Sequence, residues 1–286
     1  MAGALIECVP NFSEGRNAQT LAAIEQAIRS VAGIEIWRSE MDPDHNRSVI
    51  TFAGTPVEVE DAALRGIHMA MDRIDLRHHL GVHPRIGAAD VVPFVPLRGA
   101  TLEDCALIAH RVGRRVWETL RVPVYFYEAA ASSPDRKPLE NVRRGGFEHP
   151  ALLPDLGGPA LHPTAGACAI GARKLLIAFN INLDTDDLAI AKAIARKIRA
   201  SSGGLPFVKA MGVPLASRKL VQVSMNLTDF EQTPLHRVYA AVLSEAAAHG
   251  VTIAETQIVG MVHRKALEGL PDHVAHALMR AAFTPV

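Results

Sequence analysis

The chain has 286 residues, enough at roughly 150 residues per domain for two domains or subdomains that each bury a core. Apolar residues make up 49% and charged residues 21%, a composition that excludes a largely disordered, collagen-like or coiled-coil chain. Thirty Lys and Arg balance thirty Asp and Glu, which removes the basic excess of a general nucleic-acid binder and points to small-molecule partners. Cys8, Cys105 and Cys168 are too scattered for a disulfide framework and offer no C-x-x-C half-site for zinc. With no signal-like start and no apolar run of about 18 residues, the expectation is a cytoplasmic protein without a membrane segment.

In chain order, residues 5–9 read as a strand ending at Pro10, and Leu21, Ile24, Ile28 and Val31 recur at helical spacing before Gly33. Residues 34–37 and 48–53 are strands joined by the turn MDPDHN, a plausible hairpin. A helix follows over 56–74, with Pro56 in its first turn and Glu58, Glu60 and Asp61 near its positive end. A Gly- and Pro-rich loop then feeds a strand over 91–97, followed by a helix over 101–120 and a strand over 122–127. The stretch to Pro163 is broken by Pro and Gly. Beyond it come a strand over 174–183, a helix over 185–200 and an alternating strand over 219–227. A helix over 234–249, a strand over 252–259 and a short helix over 271–279 complete the chain. The expected fold is α+β or α/β in two parts, divided near residue 180.

Four segments carry candidate chemistry. His78, His79 and His83, followed by Arg85, form a possible acid–base loop, because imidazole titrates near neutrality; incidental surface histidines and a metal site are the other readings. Glu40 and the turn DPDHNR, with Asp42 and Asn46, gather acids and amide groups, and the same residues can simply make an Asx-type turn. Gly166 to Lys174 lacks the Gly-Lys-Ser/Thr of a phosphate loop. Asn180 and Asn182 share one strand face, as do Gln222, Ser224 and Asn226 on another. Such amide-rich faces suit either solvent or a heterocycle with many donors and acceptors, such as a pterin.

Together, ECVPNFSEGR (7–16), HNRSVITFAG (45–54), HPRIGAADVVPFVPL (83–97) and VPVYFYEAA (122–130) resemble one family. So do residues 154–183, 221–239 and 256–262. The family is glutamate formimidoyltransferase, the formiminotransferase domain found alone or fused to a cyclodeaminase, and no residues remain here for the latter. The resemblance implies formimino transfer from N-formimino-L-glutamate to N5 of tetrahydrofolate in histidine degradation, with tetrahydrofolate as co-substrate and no metal. It implies a homodimer of two α/β subdomains, here 1–180 and 181–286, with mixed sheets facing each other across a groove and helices outside. It also implies that His83 is the catalytic histidine. The remaining site expectations are Glu40, Asp42 and Asn46 at the amidine, Arg85 and Arg143 at carboxylates, and Asn180, Asn182, Gln222 and Asn226 at folate.

The sequence departs from the better-known bifunctional members at Glu40, where they have Asp, and in DPDHNR, where they have a Gly-Pro-Ser-Thr-Asn-Arg-like run. Val82 replaces their Glu before the motif histidine. The alternative expectation is therefore a folate-binding protein of this fold that uses another donor, formyl or a different amidine, or that lacks catalysis.

Overall fold

Short apolar runs bounded by Gly, Pro, Asp and Asn lay down most strands of the first half of the chain. The computed structural model, which describes residues 3–262 and 264–281, places there β1 (Leu5–Cys8), β2 (Asn11–Phe12), β3 (Glu35–Asp42), β4 (Arg47–Gly54), β5 (Ala89–Arg98), β6 (Val124–Glu128) and β7 (Cys168–Ala172). They form one seven-stranded sheet. β1 and β2 act as a single interrupted strand between β4 and β5: Glu7 lies opposite Ala53 and Val95, and Asn11 opposite Val49 and Val91. Pro10, which has no N–H to give, sits at the interruption. β3 closes the expected hairpin onto β4, while β7 runs parallel to both β5 and β6.

One face of this sheet, with Ile6, Cys8, Phe12, Ile50, Phe52, Val92 and Phe94, packs against α1 (Ala18–Arg29), α2 (Pro56–Arg73) and α3 (Leu102–Arg115). The helices start where their sequence supplies a cap. Asn17 accepts the N–H groups of Gln19 and Thr20, and the Thr101 and Asp104 side chains each accept the other's backbone N–H. By alternation the other face carries Glu7, Asn11, Arg47, Val49, Thr51, Ala53, Val91 and Val95. The Pro- and Gly-rich stretch holds a 3-10 turn at Pro134–Arg136 and one short α-helix, α4 (Leu139–Val142), whose Val142 packs with Tyr125, Tyr127, Val91 and Ala169.

The second unit starts at Leu175, so the division expected at 180 falls inside a strand. Its sheet is antiparallel, in the order β11 (Ile253–Val259), β8 (Ile177–Leu183), β10 (Leu220–Leu227) and β9 (Val208–Leu215). Val221, Val223, Met225 and Leu227 point inward as their alternation requires. They join Phe179 and Ile181 under α5 (Leu188–Ile198), α6 (Leu235–Ala248) and α7 (Asp272–Ala281). The fold is thus α+β, with two sheets and a separate core for each.

Three strands are absent from the sequence expectations: the two-residue β2 beyond Pro10, β7 and β9. β7 reads CAIGA, too small and too short for a strand pattern, but its size is what its place demands: a Cβ on Gly171 would lie 2.6 Å from the Tyr127 ring. β9 contains Gly212 and Pro214, both unfavourable inside a sheet. It is an edge strand, where Pro is tolerated, and α5 passes so close that a Cβ on Gly212 would lie 2.5 Å from the Lys192 backbone nitrogen. All three cysteines are buried and free, and no described helix is long and apolar enough to cross a membrane.

Candidate active site

Segments far apart in sequence meet at one fully buried carboxylate in the first unit. Asp90, on β5, has no exposed surface. Its Oδ1 accepts the N–H groups of Ile86 at 2.7 Å and Gly87 at 3.2 Å, and its Oδ2 accepts from Arg47 Nη2 at 2.8 Å and Arg143 Nη1 at 3.0 Å. Burial alone would raise this acid, but Arg47, Arg143 and the Ile86 N–H outweigh it and hold Asp90 at about 2. Arg47 is itself 8% exposed and donates from Nε to Asn11 Oδ1 at 3.1 Å. Two guanidiniums against one carboxylate leave a local excess of one positive charge. The Arg143 Nε is buried and has no hydrogen-bond partner.

His83 lies beside this cluster, half-buried. Its Nδ1 is 2.8 Å from the Pro84 carbonyl oxygen. A carbonyl only accepts, so in the neutral ring Nδ1 carries the hydrogen and Nε2 the lone pair. Burial, then the positive charges of Arg47 and Arg143, push His83 well below the ordinary histidine value, against weaker opposition from Pro84 and Asp90. The ring is therefore a neutral base at physiological pH. The His45 ring stands 6.0 Å away, centre to centre, with Nδ1 2.8 Å from Asp42 Oδ2.

The other expected residues of this unit have different surroundings. Arg85 donates from Nε to His79 Nδ1 at 2.8 Å, from Nη2 to the carbonyls of Leu76 and His79, and to Glu148 through both terminal nitrogens. It ties one loop to another, where a carboxylate of the substrate was expected. That bond fixes His79 as well: Nδ1 accepts, so Nε2 carries the hydrogen and donates to the Asn46 carbonyl at 2.9 Å. Asn46, at φ +47°, accepts the Gly15 N–H and donates to the Leu80 carbonyl, so its amide braces two loops. Asp42 accepts the His45 N–H as an Asx-type turn does, and Glu40 accepts from Arg38 at 2.7 Å. His78 is exposed near Asp75. The three histidines thus serve three separate purposes, and among the described residues no group of three ligands gathers around a metal-sized space.

In the second unit the amides form a relay. Glu255 accepts from Arg218, Gln257 and Asn182 Nδ2; Asn182 Oδ1 accepts from Gln222 Nε2 at 2.9 Å. Asn180, Asn182 and Gln222 are buried, while Asn226 is exposed. Because each donor is committed in turn, the Gln222 Oε1 faces outward from the relay, buried and without a partner.

Sequence reasoning did not select Arg47, Asp90, Glu148 or Glu255 for the site. The available signal was an ionic residue within an apolar stretch: Asp90 interrupts IGAADVVPF, and Arg47 opens SVITFAG.

Residues 5–173 match the N-terminal subdomain of the formiminotransferase domain, and residues 178–277 match the formiminotransferase domain. The glutamate formimidoyltransferase of Thermoplasma acidophilum is 47% identical over 272 residues, covering 92% of this chain and 89% of that protein. The enzyme of the same name from Streptococcus pyogenes serotype M1 is 41% identical, with 94% and 92% coverage. The formimidoyltransferase-cyclodeaminase of Gallus gallus is 42% identical over 92% of this chain, which spans 51% of that longer protein.

Proposed function

The chain belongs to the formiminotransferase domain family, and from this premise we propose that it moves the formimino group of N-formimino-L-glutamate to N5 of tetrahydrofolate. The products are 5-formiminotetrahydrofolate and L-glutamate, in a step of histidine degradation. Tetrahydrofolate is the co-substrate. The reading includes a homodimer in the cytoplasm. The observation that carries the chemistry is His83, a neutral imidazole whose Nε2 lone pair stands beside a fixed positive charge. Buried polar atoms without partners, on Arg143 and Gln222, suit ligands as rich in donors and acceptors as these.

His83 acts twice. Its Nε2 takes the proton from N5 as the new carbon–nitrogen bond forms, while Nδ1–H stays on the Pro84 carbonyl and keeps the ring aimed. It then returns that proton to the departing glutamate nitrogen as the old carbon–nitrogen bond breaks. The charges that keep His83 neutral also make its protonated form a stronger acid, which suits the second transfer. Arg143 is assigned to a substrate carboxylate through its uncommitted Nε. Glu40 and Asp42 remain the candidates for the amidinium, and Asn180, Asn182, Gln222 and Asn226 for folate. Arg85 and Asn46 contribute by holding the loop that presents His83.

Mixing the protein with N-formimino-L-glutamate and tetrahydrofolate tests this reading, with glutamate release and the methenyl-folate absorbance after acid treatment followed together. Turnover is expected, and His83→Ala should lose about two to four orders of magnitude while still binding folate. Folate binding with no glutamate release would overturn the assigned donor; near-normal turnover by the variant would remove His83 from the mechanism.

A further inference from the structure

The seven-stranded sheet contains a buried carboxyl group with one oxygen that makes no hydrogen bond among the described residues. Glu7 lies at the centre of the sheet, flanked by Ala53 on β4 and Val95 on β5, on the face turned away from α1, α2 and α3. It is 2% exposed, and its Oε2 makes no hydrogen bond. The cation that acts on it, Arg173, donates instead to the Lys174 carbonyl. Burial raises Glu7 to about 7, only partly offset by Arg173, which is the state of an acid short of donors. An apolar side chain here would pack against Ala53 and Val95 without leaving a buried polar group unmet. Packing does not explain the residue.

Its neighbours point the same way. Thr51, two residues along β4 from Ala53, is 1% exposed with an unpartnered hydroxyl, and Arg38, opposite Thr51 on β3, has a buried and unpartnered Nε. On the same face stand Val49, Ala53 and Val95, all apolar and buried. A flat apolar floor with a few unmet polar groups is the ordinary lining of a site for a planar ligand.

The order of groups along the strand identifies which part of the ligand Glu7 meets. Asn11 lies four residues from Glu7 along the interrupted strand, in matching register on both neighbours; at about 3.3 Å per residue that is about 13 Å. At Asn11 begins the chain of bonds to Arg47 and Asp90, whose charges act on His83, so the His83 end of the site is set apart from Glu7.

We propose that Glu7 is a folate-binding residue, its carboxylate accepting the 2-amino and N3–H donors of the pterin ring while His83 serves N5 at the other end. This rests on the functional reading above. The two pterin donors are parallel and match the two oxygens of a carboxylate. The amidinium of the donor substrate has a similar fork, but its carbon must meet N5 beside His83, at the Asn11 end of the strand and not at Glu7.

The test is equilibrium binding, independent of turnover. Tetrahydrofolate, and its analogue with a methyl group in place of the 2-amino group, are titrated into the wild-type protein and into Glu7→Gln, with circular dichroism confirming the fold of the variant. The wild type should bind the analogue about ten- to a hundredfold more weakly than tetrahydrofolate. Glu7→Gln should lose affinity for tetrahydrofolate by a similar factor and bind the two ligands equally. Equal wild-type affinity for both ligands overturns the proposal without any variant, as does undiminished tetrahydrofolate binding by Glu7→Gln. Failure of the wild type to bind tetrahydrofolate at all would instead remove the functional reading on which the proposal stands.

Discussion

Asp90 survives as a buried anion because four donors surround it: the local Ile86 and Gly87 N–H groups, and Arg47 and Arg143 from distant parts of the chain. Asp90→Asn keeps the shape but removes the charge, leaving two guanidiniums facing a neutral amide that carries donors of its own. Loss of one partner from a buried ion cluster costs about 3–5 kcal/mol, and urea denaturation of the variant should show it. The sign with pH is fixed by the direction of the shift. Asp90 titrates at about 2 in the folded chain, below its ordinary 3.8, so its contribution is present above that ordinary value and is lost as pH falls toward about 2. The variant's stability should therefore fall less steeply through this acid window. For His83 the folded value also lies below the ordinary 6.5; the unfolded chain takes the proton first, and stability falls as pH drops below 6.5. The acid limb of kcat/KM should likewise lie below pH 6.5, and a limb above it would mean that a different group is the base.

At the scale of elements, β10 was legible because it keeps one face apolar and the other polar, and β3 and β4 because short apolar runs flank the Asp-, Pro- and Asn-rich turn. β7 was not, since both its faces are enclosed and its residues are small for the sake of Tyr127, so no alternation exists to be read. β9 was hidden by Gly212 and Pro214, whose presence follows from an edge position and a helix pressed against it. The site divides in the same way. The histidine loop announced itself by residue type, whereas the cluster of Arg47, Asp90 and Arg143 depends on three segments meeting in space, which no local period encodes. The pairing of Arg85, expected at a substrate carboxylate, with Glu148 had no local signal, because Glu148 is far along the chain. The reading of β9 can be tested directly: Gly212→Val must push α5 off the sheet, and overpacking of this kind costs about 1–3 kcal/mol. A melting temperature equal to the wild type's would show that α5 does not rest on that glycine.

The whole molecule carries no net charge, thirty cations against thirty anions, yet the reaction proposed for it uses anionic substrates: a donor with two carboxylates and a folate with a glutamate tail. Long-range steering requires a net or strongly one-sided field, which this composition does not supply. Anion recognition must then come from charges met at contact, and the positive excess of Arg47 and Arg143 over Asp90 is such a charge, held by partly or wholly buried side chains. Mobile salt screens exposed charges over about 8–10 Å but reaches buried ones poorly. Raising the ionic strength from about 0.05 to 0.3 M, across which the Debye length falls severalfold short of the protein's width, should therefore change the donor KM by less than about threefold. Arg143→Gln should raise that KM at every salt concentration, because what it removes is a contact. A tenfold or larger rise of the wild-type KM with salt would place recognition in an exposed basic surface and take the carboxylate away from Arg143.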